Sequence, residues 1–285
     1  MVENGTDTNA LIVPANLDNI SDAELMKLTG QTGGMESQGS VLSRLSINYQ
    51  TEDENERPLP RGWFSLKVDG DLILAKEVIF RPFVRFYSYS FWDNAENTFM
   101  SSVQMPSLGD QFADSSGTYK CGKLSREELG KLPENDPQRV VQSSIKCNQV
   151  LYGVVSISEG KKADGKQVKD LNEIPCVYYA KGVNYTPFST ALSTLAKQKK
   201  PMIRTNLMLS AKKQKTVGNT FFVVNVKLGE TMDKLSETDI PTLKEFALSV
   251  KAINESVIEK HREAVKSKSN DGDHSLAIEL DGETA

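Results

Sequence analysis

Bond-making chemistry has few candidate residues in this chain. Of its 285 residues only two are histidines, His261 and His274. No serine or cysteine has a histidine near it in sequence to serve as a base. Cys121, Cys147 and Cys176 are widely separated and show no CxxC or HxxxH spacing. A zinc site built on all three with a distant histidine is conceivable. The spacing favours core or incidental cysteines, so no metal and no cofactor are expected. The acidic pairs Asp69/Asp71 and Glu127/Glu128 fall in a turn and at a helix start, where they serve local structure. These residue types point to binding, and a non-enzymatic protein is expected.

Cations and flat rings, in contrast, alternate with regularity. Along Val78–Trp92 a strand would place Ile79, Arg81, Phe83, Arg85, Tyr87, Tyr89 and Phe91 on one face. The other face would hold Phe80, Pro82, Val84, Phe86, Ser88, Ser90 and Trp92. If exposed, the first face offers guanidinium groups for phosphates and rings for bases. Each stacked base contributes about 1–3 kcal/mol. The other arrangement is a strand buried on both sides with Arg81 and Arg85 at its rim, because two unpaired arginines in a core are costly. Pro82 removes one ladder donor, which predicts an edge or a bulge.

A second supply of positive charge lies in residues 174–229, which contain no Asp and no Glu. Lys199, Lys200, Arg204, Lys212, Lys213 and Lys215 from this block are expected to hold phosphates. Phe83, Tyr87, Tyr89 and Phe91 are expected to stack bases, with Arg81 and Arg85 between them. Both groups are expected to share one solvent-facing trough. The bland reading of the block is a solvated basic face.

The elements that must position these groups read as follows. A capping box at Ser21–Glu24 and Gly30 bound a short helix, and a Gly-rich joint fills 29–40. Val41–Tyr49 is a strand, and an acidic run with Pro58 and Pro60 makes a loop. Strands at 63–68 and 72–78 join through Asp69-Gly70-Asp71 as a hairpin. Residues 93–139 look like an insertion with a strand at 99–105 and a helix at 126–132. Residues 145–157 form a buried strand kinked at Gly153, 159–169 a charged loop, and 176–179 a further strand. A helix capped by Thr186 and opened by Pro187 buries Phe188, Leu192 and Leu195 and stops at Pro201. Strands at 202–210 and 220–228 flank a loop bearing three lysines. Asp239-Ile240-Pro241 opens a long helix to about Lys266, and an acidic tail predicted to be disordered ends the chain.

The formal net charge of −4 conceals an arrangement: residues 1–60 carry −7, residues 61–228 carry +9 and residues 229–285 carry −6. Acidic ends can compete with nucleic acid for a basic middle, so trimming 268–285 should tighten binding at low salt. No apolar run reaches the roughly 18 residues of a membrane span, and the N-terminus lacks a basic, apolar leader. A cytoplasmic protein with reduced cysteines and no membrane contact is expected.

The layout resembles that of bacteriophage single-stranded DNA-binding proteins of the OB-fold type. The likeness rests on VIFRPFVRFYSYSFWD, IKCNQVLYGVVS, PCVYYAKGVNY and PMIRTNLMLSAKKQKTVGNTFFVVNVKL, followed by one long helix and an acidic tail, and covers roughly 41–285. It implies sequence-tolerant binding of single-stranded DNA in replication or recombination, with replication proteins recruited through the acidic tail. The expected fold is mainly β with helical additions (α+β), an OB-like five-stranded barrel with insertions and a long C-terminal helix. Its divisions are a mobile acidic arm (1–40), the binding domain (41–228), the helix (229–267) and the tail (268–285). Two further readings of the basic block stand beside it: a virion or scaffold-type interaction module, and an RNA-binding regulator.

Overall fold

The computed structural model describes residues 42–94, 97–216 and 218–278. The expected helix at Ser21–Gly30, the Gly-rich joint at 29–40 and the final acids of the tail lie outside the described residues.

Among the described residues the fold is mainly β with four α-helices, and its centre is a closed five-stranded, OB-like barrel. Strands β1 (Ser43–Ile47), β2 (Phe64–Val68), β3 (Asp71–Ala75), β6 (Lys146–Lys162) and β7 (Gln167–Lys181) form the ring. They follow one another around it in chain order, and β1 closes against β7 as a parallel pair. The expected β2–β3 hairpin forms, with a two-residue turn because Asp71 already pairs with Val68. Asp69 and Gly70 both take positive φ, +50° and +86°, as the tight turn that matches strand twist requires.

Strand β4 (Glu77–Asp93) continues β3 after one residue and lies beside β6 for most of its length. Its outer edge takes β5 (Thr98–Ser101) at one end and the hairpin β8 (Thr205–Thr216) and β9 (Asn219–Thr231) at the other. Helices α1 (Arg126–Lys131) and α2 (Pro137–Ser144) belong to the insertion between β5 and β6, α3 (Tyr185–Lys197) follows β7, and α4 (Asp239–Ile278) ends the described chain.

Two cores lie on opposite sides of β4, β6 and β7. Inside the barrel, Leu45, Phe64, Leu66, Phe80, Leu151 and Tyr178 pack together, and α3 adds Phe188, Leu192 and Leu195. Each such side chain contributes about 1.5–3 kcal/mol on burial. On the reverse side α4 lays Phe246 and Val250 over Phe83, Val150, Tyr152, Val154 and Val177. The insertion closes a third, smaller cluster of Val103, Phe112 and Val257.

Several boundaries differ from the sequence reading. The charged segment 159–169 is the tip of a long β6–β7 hairpin, because the ladder continues to Lys161↔Gln167. The lysine loop is likewise ladder: β8 reaches Thr216, and Gly218 turns the chain at φ +86°. Asp136 caps α2 through the Gln138 amide, with Pro137 in the first turn, so the insertion holds a second helix beyond the one expected at 126–132. Helix α3 begins at Tyr185 after Asn184, one residue before the expected cap. Helix α4 runs to Ile278, so residues 268–278, expected within the tail, are helical.

Candidate nucleic-acid interface

One irregularity in β4 decides where the cation–ring stripe goes. The β4–β6 register shifts between Pro82 and Val84. Pro82 has no N–H to give the ladder, and an extra residue here reverses the phase of every side chain beyond it. Opposite the bulge stands Gly153, where an added Cβ would lie 2.3 Å from the Arg81 carbonyl and 2.9 Å from the Phe80 ring. The glycine lets the bulged backbone approach.

Two of the expected contact residues are therefore buried. Arg81 is only 2% exposed, and its guanidinium donates to Asp239 at 2.7 Å and to Glu173 at 2.5 Å, and to the Ile203 carbonyl at 3.1 Å. Burial disfavours its charge, but the two carboxylates outweigh this and raise its pKa. Burial likewise pushes the Asp239 carboxyl up, and the bonds from Arg81 and Ser236 overcome it and hold the carboxyl below its ordinary range. Asp239 thus serves as an ion-pair partner at the start of α4. Phe83 is 3% exposed and meets Phe246 edge-on at 5.6 Å. Neither residue can touch a phosphate or a base while α4 is seated, which corrects both expectations.

Beyond the bulge, Arg85, Tyr87, Tyr89 and Phe91 share one face, all of them half-buried. The guanidinium of Arg85 sits 5.3 Å from the Tyr87 ring centre. Tyr89 rests edge-on against Phe112 at 5.1 Å, and the Lys120 ammonium lies 6.0 Å from the Tyr89 ring. Opposite Tyr87 and Tyr89 on β6 stand Gln149 and Cys147. Gln149 is fully buried; its amide donates to the Tyr185 carbonyl at 3.0 Å, and its Oε1 has no partner among the described residues.

The first residue of α3 completes this face. Burial, then the nearby Cys147 and Tyr87, push the Tyr185 phenol up to about 12, with Arg85 acting in the opposite sense. Burial and Cys147 push Tyr89 up to about 12 as well. Burial also raises the Cys147 thiol, despite the Tyr89 hydrogen bond and the neighbouring Lys120 and Lys123. At neutral pH Tyr89 and Tyr185 keep their phenol protons and Cys147 its thiol proton. Among the described residues neither Arg85 nor Lys120 forms an ion pair. Such a surface can hold an anion and stack a flat group, and it lacks an activated nucleophile.

The remaining expected cations lie elsewhere. Phe80 pairs with Leu207, and from there Arg85 is five residues in one direction and Lys212 five in the other. At about 3.3 Å per residue they stand roughly 30 Å apart along the strands. Lys213 is opposite the inward Phe222 and Lys215 shares its face, whereas Lys212 points to the other side. Lys199 and Lys200 are exposed past the far end of α3, about 18 Å from Tyr185 by helix rise. Arg204 is half-buried and donates to the Asp233 carbonyl at 2.7 Å. The shared trough of rings and hairpin lysines is not formed.

Lys120 and Gln149 were not singled out from the sequence, and Tyr185 stood out only as one of the rings within the basic block 174–229. The polar pair Asn148-Gln149 inside an otherwise apolar run was the available signal for Gln149. Tyr185 and Lys120 arrive through loops whose course no periodicity encodes. No protein-family model matches the chain, and neither a curated protein nor a solved structure matches it.

Proposed function

We propose that this chain binds single-stranded nucleic acid, DNA foremost, without sequence selection and without catalysis, in the service of replication or recombination. Bases stack on Tyr87, Tyr89 and Phe91, while Arg85 and Lys120 take the phosphates between them. The observation that carries this reading is the run of half-buried rings past the β4 bulge, interleaved with cations that no carboxylate neutralises among the described residues. Unpaired cations beside stacking surfaces suit a polyanion with splayed bases. The five-stranded barrel supports it more weakly, since folds of this kind host many activities. Among the described residues no helix is long and apolar enough to cross a membrane.

Titration of fluorescent oligo-dT at two salt concentrations tests the proposal. Log K should fall by about 0.7 per phosphate contact for each decade of salt. RNA of the same length should bind no more tightly than DNA. A salt-independent or undetectable interaction removes the proposal, and a strong RNA preference turns it toward the RNA-binding alternative.

A further inference from the structure

The reverse face of the same three strands carries a second cationic patch that the stacking face does not use. Past the cover of α4, Ser88 and Ser90 of β4 lie opposite Asn148 and Lys146 of β6, and Lys181 of β7 lies opposite Asn148. Lys146 and Lys181 are therefore diagonal neighbours, about 7–8 Å apart at the backbone. Both are exposed, above a floor of buried Ser88 and Asn148. Arg44 of β1, also exposed, places its guanidinium 5.0 Å from the Tyr179 ring centre at the same rim. At the β4–β5 hairpin Trp92 and Phe99 are 49% and 60% exposed, with ring centres 6.4 Å apart.

Three features make this more than a solvated charge cluster. Among the described residues Arg44, Lys146 and Lys181 form no ion pair. Burial, then Arg44 and Lys146, lower the Lys181 pKa, so these cations crowd one another without a counter-charge. Asn148 is 3% exposed; its amide nitrogen is 3.1 Å from the Ser90 hydroxyl, while its Oδ1 has no partner among the described residues. Ammonium groups that no described carboxylate neutralises, above a floor of polar side chains, favour a ligand bearing both negative charge and hydrogen-bonding groups. A nucleotide carries both.

We infer that a nucleic-acid strand leaving the Tyr87–Phe91 face turns around the β4–β5 hairpin over Trp92 and Phe99, and runs back along the Lys146–Lys181–Arg44 face. This second track rests on the proposed function and lengthens its site. The two faces belong to opposite sides of one sheet, so a short oligonucleotide reaches only the first, and a longer one gains the second.

The test is an oligo-dT length series with wild type, Lys146→Glu/Lys181→Glu and Tyr87→Ala. Wild-type affinity should rise in two steps with length. The lysine double variant should bind the shortest oligonucleotides within about twofold of wild type, lose the second step by tenfold or more, and show a salt slope smaller by about 1.4, two contacts' worth. Retention of the second step, or equal weakening at every length, overturns the second track and leaves the first face standing. Failure of wild type to bind any length removes both. Short-oligonucleotide binding by the double variant, together with an unchanged melting temperature, shows that it is folded.

Discussion

Arg81 and Arg85 lie four residues apart on one strand and meet opposite environments. Alternation alone assigns them one face; the register shift at Pro82–Val84 sends Arg81 beneath α4 and leaves Arg85 on the ring-bearing side. Arg81→Ala would leave the 1%-exposed Asp239 without its cation, a loss worth about 3–5 kcal/mol in urea unfolding. Arg81→Met combined with Asp239→Leu should recover most of it, since the pair's desolvation cost disappears too; a loss under about 1 kcal/mol for Arg81→Ala would contradict the buried-pair assignment. The sequence marked Pro82 as a disturbance, yet both phases of this strand are aromatic-rich, so pattern could not say which side each arginine took. That is why Phe83 was misplaced while Tyr87, Tyr89 and Phe91 stayed together.

Acid should act through the same kind of group. Burial pushes the Asp114 carboxyl up, but hydrogen bonds from Ser116 and Thr118 outweigh it and hold the carboxyl low; Asp239 behaves alike. A depressed folded pKa means that the stabilisation is fully present above the unfolded value of about 3.9 and is lost as pH falls through the folded value. Urea midpoints of wild type should therefore drop more steeply below pH 4 than those of Asp114→Asn. Parallel curves would show that Asp114 contributes nothing to acid stability.

At the scale of elements, the close approach of β4 and β6 depends on a missing side chain. Gly153→Ala would force a Cβ against the Arg81 carbonyl and Phe80 and should cost about 1–3 kcal/mol by overpacking. An unchanged urea midpoint would mean that the bulge relaxes freely. Helices α1, α3 and α4 and the β2–β3 hairpin were legible from caps, turn residues and spacing, whereas α2 was not. Asp69-Gly70 and the Phe188–Leu192–Leu195 stripe needed no tertiary information. The charged tips of β6–β7 and β8–β9 were not. Polar residues on a projecting two-stranded ribbon carry the same composition as a loop, and only the ladder Glu159↔Lys169 or Lys215↔Thr220 distinguishes them.

At the scale of the whole molecule, the mainly β class was legible in the spacing of short apolar runs; the five-stranded barrel was expected from the resemblance, and strand order from neither. Closure depends on β3 meeting β6 at Ile73↔Lys162 and β1 meeting β7 in parallel, pairings between segments some 90 to 130 residues apart in the chain. The expected trough failed at this scale. Antiparallel pairing of β4 with β8 carries Arg85 and the lysine hairpin in opposite directions, a consequence of topology that residue types cannot report. What remains is a compact cluster of Arg85, Tyr87, Tyr89, Tyr185 and Lys120, assembled from β4, α3 and the insertion.

The most direct measurement is the oligo-dT affinity of Arg85→Ala/Tyr87→Ala beside that of Lys213→Ala/Lys215→Ala, at one moderate salt concentration and with melting temperatures recorded for both. Loss of one stacked base and one phosphate contact should weaken the first variant by about 20-fold or more, while the second, distant pair loses only a few-fold. Equal losses in the two variants, or wild-type affinity in the first, would contradict a binding face centred on Arg85 and Tyr87.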